Sequence, residues 1–234
     1  MNRLFLAFFL LLASPVFAAD KDAEYLALVD AAIKDPATAK WCEIRDMYPS
    51  TSFYRALGNP LVSTKVPEMG KRMLMEKSEA SVSAFMRFSR ENFGSLNAHR
   101  YAAYLYKWHM ELALQGMEKV LPDFGDGIGY IDFKLETKAA RELLKCMAAS
   151  GDGKGFTTAY HAVTFEEERL LIEQYFHVDV ENGAIKKEGG KVYSIVNVQI
   201  PGGTKTDIYF RLDDQLIEGI KDAAAKEKEK AAQP

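Results

Sequence analysis

The chain is poor in the residues that most often carry chemistry: two cysteines, two tryptophans and four histidines among 234 residues. Neither Cys42 nor Cys146 belongs to a C-x-x-C pair, which removes the local spacing of a redox centre or a zinc knuckle. His99, His109, His161 and His177 form no H-E-x-x-H and no i, i+4 pair, so no metal site is expected. A G-x-S-x-G nucleophile elbow is also missing. With a formal net charge of −3 and no basic run interleaved with aromatics, nucleic acid is not an expected partner. No cofactor is expected either.

One apolar run exists, at the start. Arg3 supplies a basic segment, Leu4 to Leu12 an apolar stretch and Val16-Phe17-Ala18 a small-residue cleavage signal, the three parts of a secretory signal peptide. The run is too short to cross about 30 Å of hydrocarbon as a permanent anchor. No cysteine follows it to carry a lipid, so no stable membrane anchor is expected. Export is therefore the expectation, with a periplasmic or secreted location after cleavage near Ala18. Loss of Arg3 leaves 29 basic side chains against 33 acidic ones. In an oxidising compartment Cys42 and Cys146 could form a disulfide closing a loop of about 100 residues, or remain as two buried thiols; both readings stand.

After the signal peptide the periodicity is helical as far as Gly151. Leu26, Val29 and Ile33 share one helix face, as do Trp41, Ile44 and Tyr48, which Pro49 ends. Asn59 to Pro67 reads as loop, and Glu68–Lys77 and Ser78–Asn92 as helices. Asn97 is placed to cap a helix to about Gln115 with a stripe of Tyr101, Tyr104, Leu105, Trp108 and Leu112. Lys134–Ser150 carries Leu135, Ala139, Leu143 and Met147, and Gly151 stands where a left-handed C-cap is expected.

Beyond Gly151 the period becomes two. Val192 to Ile200 alternates, Pro201-Gly202-Gly203 turns the chain, and Lys205–Leu212 returns as a β-hairpin. Thr158–Thr164 is a short strand candidate, and Asn182-Gly183 suits a tight turn. Phe165–Tyr175 reads as a helix whose Glu166-Glu167-Glu168 first turn is a solvated face. The fold class is α+β: signal peptide 1–18, helical region 19–151, a small α+β region 152–214 with a C-terminal β-hairpin, and a charged tail 215–234 that is helical or disordered.

Ser150-Gly151-Asp152-Gly153-Lys154-Gly155 invites comparison with a phosphate-binding loop. It lacks the Ser or Thr after the lysine and follows a helix, so its glycines are expected to turn the chain. Asp123-Phe124-Gly125-Asp126-Gly127 lacks the twelfth-position glutamate of a calcium loop.

That glycine-rich string, with Thr158-Ala159-Tyr160, Val163, Glu167-Glu168, Val192-Tyr193, Val196 and Ile208-Tyr209-Phe210, resembles a bacterial envelope family catalogued as domain of unknown function four-nine-one-nine. Ile44-Arg45-Asp46-Met47-Tyr48, Phe53-Tyr54 and Asn97-Ala98-His99 resemble its earlier motifs, and the likeness runs from about Tyr25 to Asp213. Between Met110 and Tyr130 a longer Gly- and Asp-containing segment replaces the family's short interhelical turn. The resemblance implies an exported protein with a tetratricopeptide-like helical region of antiparallel pairs and a small β-rich end; it implies no activity.

Two functions follow. In the first, a non-catalytic module of the cell envelope presents a helical groove to a protein or peptide partner. In the second, an enzyme or small-ligand site lies between the two regions, where Arg45, Tyr48 and His99 would face Asp152, Lys154 and His161. There Arg45 or Lys154 would bind an anion, His99 act as acid or base, and Asp152 orient it.

Overall fold

The computed structural model describes residues 20–57, 84, 87–100, 102–103, 128–176, 178, 180–199 and 204–231. The signal-peptide segment, the loop at Asn59 to Pro67, the helix at Glu68–Lys77, all five residues of the Tyr101-to-Leu112 stripe and the Pro201–Gly203 turn lie outside those residues. Within them the chain is mixed α+β, with helices followed by a four-stranded sheet in the C-terminal part.

Helix α1 covers 20–34, α2 Trp41–Met47 and α3 Ser52–Ala56, with a 3-10 turn at Tyr48–Ser50 between the last two. Helix α2 thus ends just before Pro49, as expected, and Pro49 itself lies in the tighter 3-10 turn that follows. The Thr51 side chain then accepts from the Tyr54 N–H and restarts the helix. Further helical turns occupy 87–91 and 96–100. Ser95, not Asn97, caps the second of these, its hydroxyl accepting the Ala98 N–H at 3.3 Å.

Among the described residues the longest helices are α4, Ile128–Ala148, and α6, Asp214–Ala231. Between them α5, Phe165–Leu171, continues into a π turn at Ile172–Phe176, so the single expected helix changes pitch halfway.

The sheet has the order β1-β4-β3-β2, with β1 Tyr160–Ala162, β2 Val180–Glu188, β3 Lys191–Gln199 and β4 Lys205–Leu212. Strands β3 and β4 form the expected antiparallel hairpin, and β1 adds in parallel beside β4, pairing Tyr160 with Phe210 and His161 with Arg211. Strand β2 corrects the reading of Asn182-Gly183 as a turn. Those residues lie inside the strand, where the register shifts between Val180 and Asn182, and the turn falls at Gly189-Gly190. Both glycines have positive φ, +56° and +79°, as a two-residue hairpin turn requires, whereas Gly183 does not.

Two cores share α4. Tyr25, Val29, Trp41, Ile44, Tyr48, Tyr54 and Phe93 pack among the early helices with Ala139. Leu144 and Met147, one and two turns later on α4, pack against the sheet with Phe210, Val198, Leu170 and Leu216. Because side chains at a 3.6-residue period alternate faces, one helix can wall both cores. Cys42 on α2 and Cys146 on α4 are disulfide-bonded, with Cα atoms 5.2 Å apart and a sequence separation of 104. No helix among the described residues is long and apolar enough to cross a membrane.

Candidate functional site

Arg45 projects from α2 into the seam between the helical layer and the sheet, where its side chain is 1% exposed. Its Nε donates to Glu167 Oε1 at 2.9 Å and its Nη2 to Oε2 at 2.8 Å, a two-pronged pairing of guanidinium and carboxylate. Nη2 also donates to the His161 carbonyl on β1, and Nη1 to Asp46 Oδ1 at 3.0 Å. Glu167 Oε2 accepts the Val163 N–H at 2.8 Å, and the Val163 carbonyl accepts the Tyr54 hydroxyl at 2.9 Å. Four of the five guanidinium N–H groups are thus spent on the fold, on a side chain that is almost wholly buried. Glu167 and its neighbour Glu168 are buried, which corrects the reading of the acidic turn as a solvated face.

Tyr48 is equally committed. Its hydroxyl donates to Asn92 Oδ1 at 2.7 Å, and its ring stands edge-on to Tyr54 at 5.3 Å and over Tyr25 at 5.9 Å. Gly94 sits so close that a Cβ there would lie 2.4 Å from the Tyr48 Cβ.

His99 is fully buried. Its Nδ1 faces Glu136 Oε2 and its Nε2 faces the Phe93 carbonyl, so both ring nitrogens meet acceptors. The accounting closes only with one proton between Nδ1 and Oε2 and another on Nε2. Both ring nitrogens of this buried imidazole are thus engaged within the fold.

His161 and Asp213 form a half-buried pair, Nε2 to Oδ2 at 3.1 Å, while Asp213 Oδ1 accepts the Gln215 N–H at 2.9 Å and so starts α6. Burial pushes the Asp213 carboxyl up, but hydrogen bonds from His161 and the Gln215 N–H outweigh it and hold the group below its ordinary value.

The glycine-rich string closes on itself. The Asp152 and Gly153 N–H groups both donate to the Thr158 carbonyl at 2.9 Å, and the Lys154 N–H donates to Asp152 Oδ1 at 3.0 Å. Lys154 points into solvent. Gly153 takes a φ of +68°, whereas Gly151 is not left-handed: its missing Cβ would lie 2.4 Å from the Thr158 oxygen, so the expected C-cap is instead a close backbone crossing.

The structure therefore brings Arg45 to the His161 backbone, sets His99 apart against α4, and leaves Asp152 and Lys154 on a surface turn. None of the six is among the described residues that line an open cavity of about 390 Å³ between the 96–103 segment, α4 and α5. Leu96, Leu144 and Leu170 form its floor, and Arg100, Arg141 and Lys145 stand around it. Sequence reasoning missed these cations because each reads singly as an ordinary solvated helix charge. The available signal was spacing, since Arg141 and Lys145 flank Leu144 on a face that Ala140 leaves open. Among the described residues, no group of three or more His, Cys, Asp or Glu side chains could hold a metal ion.

No family model matches the chain, and no curated protein and no solved structure matches it.

Proposed function

We propose that the chain is an exported, non-catalytic binding protein of the bacterial envelope, which receives a protein or peptide partner in the cavity between the 96–103 segment, α4 and α5. One observation carries the reading. The polar side chains best suited to chemistry are locked into structural networks, while the open concavity has an apolar floor and small walls at Ala103 and Ala140. Export rests on the Met1–Ala18 pattern, and the envelope assignment on the resemblance to domain of unknown function four-nine-one-nine. The same reading takes the early helices as antiparallel pairs of the tetratricopeptide kind, which present grooves of this sort.

A small-molecule ligand in the same cavity is the second reading, favoured by a volume within the roughly 300 to 1,000 Å³ range of such sites.

The test is to pan a peptide library against the folded mature chain and repeat it with Ala103→Trp and Ala140→Phe, which fill the cavity from opposite walls. Peptides that bind the native chain and lose at least tenfold in affinity on either filled variant support the reading. No enrichment, or binding indifferent to both fillings, overturns it.

A further inference from the structure

The cavity's lining is electrically one-sided. Among the described residues three cations border it, Arg100, Arg141 and Lys145, and no carboxylate side chain does. Two of the three are neutralised from outside: Arg100 pairs with Glu166 at 2.5 Å and Lys145 with Glu142 at 2.8 Å. Arg141 makes no ion pair among the described residues. An unpaired guanidinium beside an apolar floor of Leu96, Leu144 and Leu170 suits a carboxylate attached to an apolar group.

The walls narrow the choice further. Thr137 on α4 and Gln174 in the π turn line the same cavity, and neither side chain has a hydrogen-bond partner among the described residues. A hydroxyl and a primary amide together offer the donors and acceptors that a peptide unit needs. A hydrocarbon tail would leave them unmet. Deepening the peptide-binding reading, and resting on it, we infer that the cavity binds the free C-terminus of a polypeptide. Its terminal carboxylate pairs with Arg141, its last apolar side chain enters the leucine floor, and its final amide meets Thr137 and Gln174.

The proposal separates cleanly from the groove reading in one titration series, followed by fluorescence anisotropy on the full mature chain. The probes are a labelled peptide ending in leucine with a free carboxylate, the same peptide as its C-terminal amide, and decanoate as competitor. The expected result is that the acid binds about 10- to 100-fold more tightly than the amide, the difference made by a charge-assisted hydrogen bond. Arg141→Gln, at a residue whose side chain makes no ion pair or hydrogen bond among the described residues, should erase that difference and leave the helical circular dichroism unchanged. Equal binding of acid and amide overturns the terminal-carboxylate assignment while leaving a peptide groove intact. Displacement of the peptide acid by decanoate at comparable concentration, or an acid preference that survives Arg141→Gln, overturns it as well. Failure of both peptides to bind, together with failure of the filled Ala103→Trp cavity to alter any library-selected binder, overturns both readings together.

Discussion

Arg45 and Glu167 stand 122 residues apart in sequence and meet through two parallel hydrogen bonds, with 1% of either side chain exposed. The pair joins α2 to the start of α5, and through the His161 carbonyl and the Val163 N–H it also holds the middle of β1 and the residue just after it. A buried charge that loses its partner is uncompensated, which costs about 3 to 5 kcal/mol, whereas replacing both by apolar groups is often near neutral. Arg45→Met and Glu167→Leu should each lose that much in urea unfolding, and the double variant should recover most of it. Single losses under about 1 kcal/mol would show that the seam is held by other contacts.

Glu168, the next residue, faces the sheet core near Ser194, and its Oε1 has no hydrogen-bond partner among the described residues. Burial, with the neighbouring Glu167 carboxylate adding to it, pushes its pKa from an ordinary 4.5 up to about 8. The folded chain therefore keeps a proton that the unfolded chain releases, so this group's contribution is present below about pH 4.5 and is lost as pH rises toward 8. Glu168→Gln removes the penalty. Its stability relative to the native chain should climb across that window by a few kcal/mol, at roughly 1.4 kcal/mol per pH unit, in parallel urea titrations. A difference that stays flat from pH 5 to pH 9 would count against a protonated Glu168.

These two glutamates show where sequence reading stopped. Strong periodicity was legible: Trp41, Ile44 and Tyr48 are all buried, as are Ala139, Leu143 and Met147 on α4 and the inward residues of β3 and β4. In α1 the face is rotated, with Tyr25, Val29 and Ala32 buried and Ile33 41% exposed, because small and aromatic residues at the i, i+4, i+7 positions won over the larger aliphatics. Strand β2 has little apolar content and forms because β3 and the Gly189-Gly190 turn impose its pairing. A triple glutamate at a helix start looks solvated from local rules alone. Only the arrival of Arg45 from a distant segment makes burial of Glu167 tolerable, and no window of neighbouring residues contains that fact.

The Cys42–Cys146 bond ties α2 to α4 and encloses 104 residues of sequence separation. A cross-link around a loop of about 100 residues removes roughly 4.7 kcal/mol of unfolded-state entropy in the chain model. Reduction, or Cys42→Ser with Cys146→Ser, should lower the melting temperature by several degrees or more. The unreduced protein should take up no thiol-alkylating reagent when unfolded. Uptake of two alkyl groups without reductant would show two free thiols in place of the bond.

The glycine-rich turn yields the sharpest contrast between a structural and a ligand-binding role. An anion cradle needs backbone N–H groups free to point at the ligand, but those of Asp152, Gly153 and Lys154 already donate to Thr158 and Asp152 within the turn. Gly153→Ala would place a Cβ 2.5 Å from the Tyr160 ring at a φ of +68°, and Gly151→Ala would place one 2.4 Å from the Thr158 oxygen, which as backbone cannot swing away. Each substitution should therefore cost about 1 to 3 kcal/mol or more. Lys154→Ala, on an exposed side chain, should stay within about 0.5 kcal/mol of the native chain. Inorganic phosphate at millimolar concentration should leave the amide resonances of residues 152 to 154 unmoved; a saturable shift there that disappears in Lys154→Ala would restore an anion site to this turn.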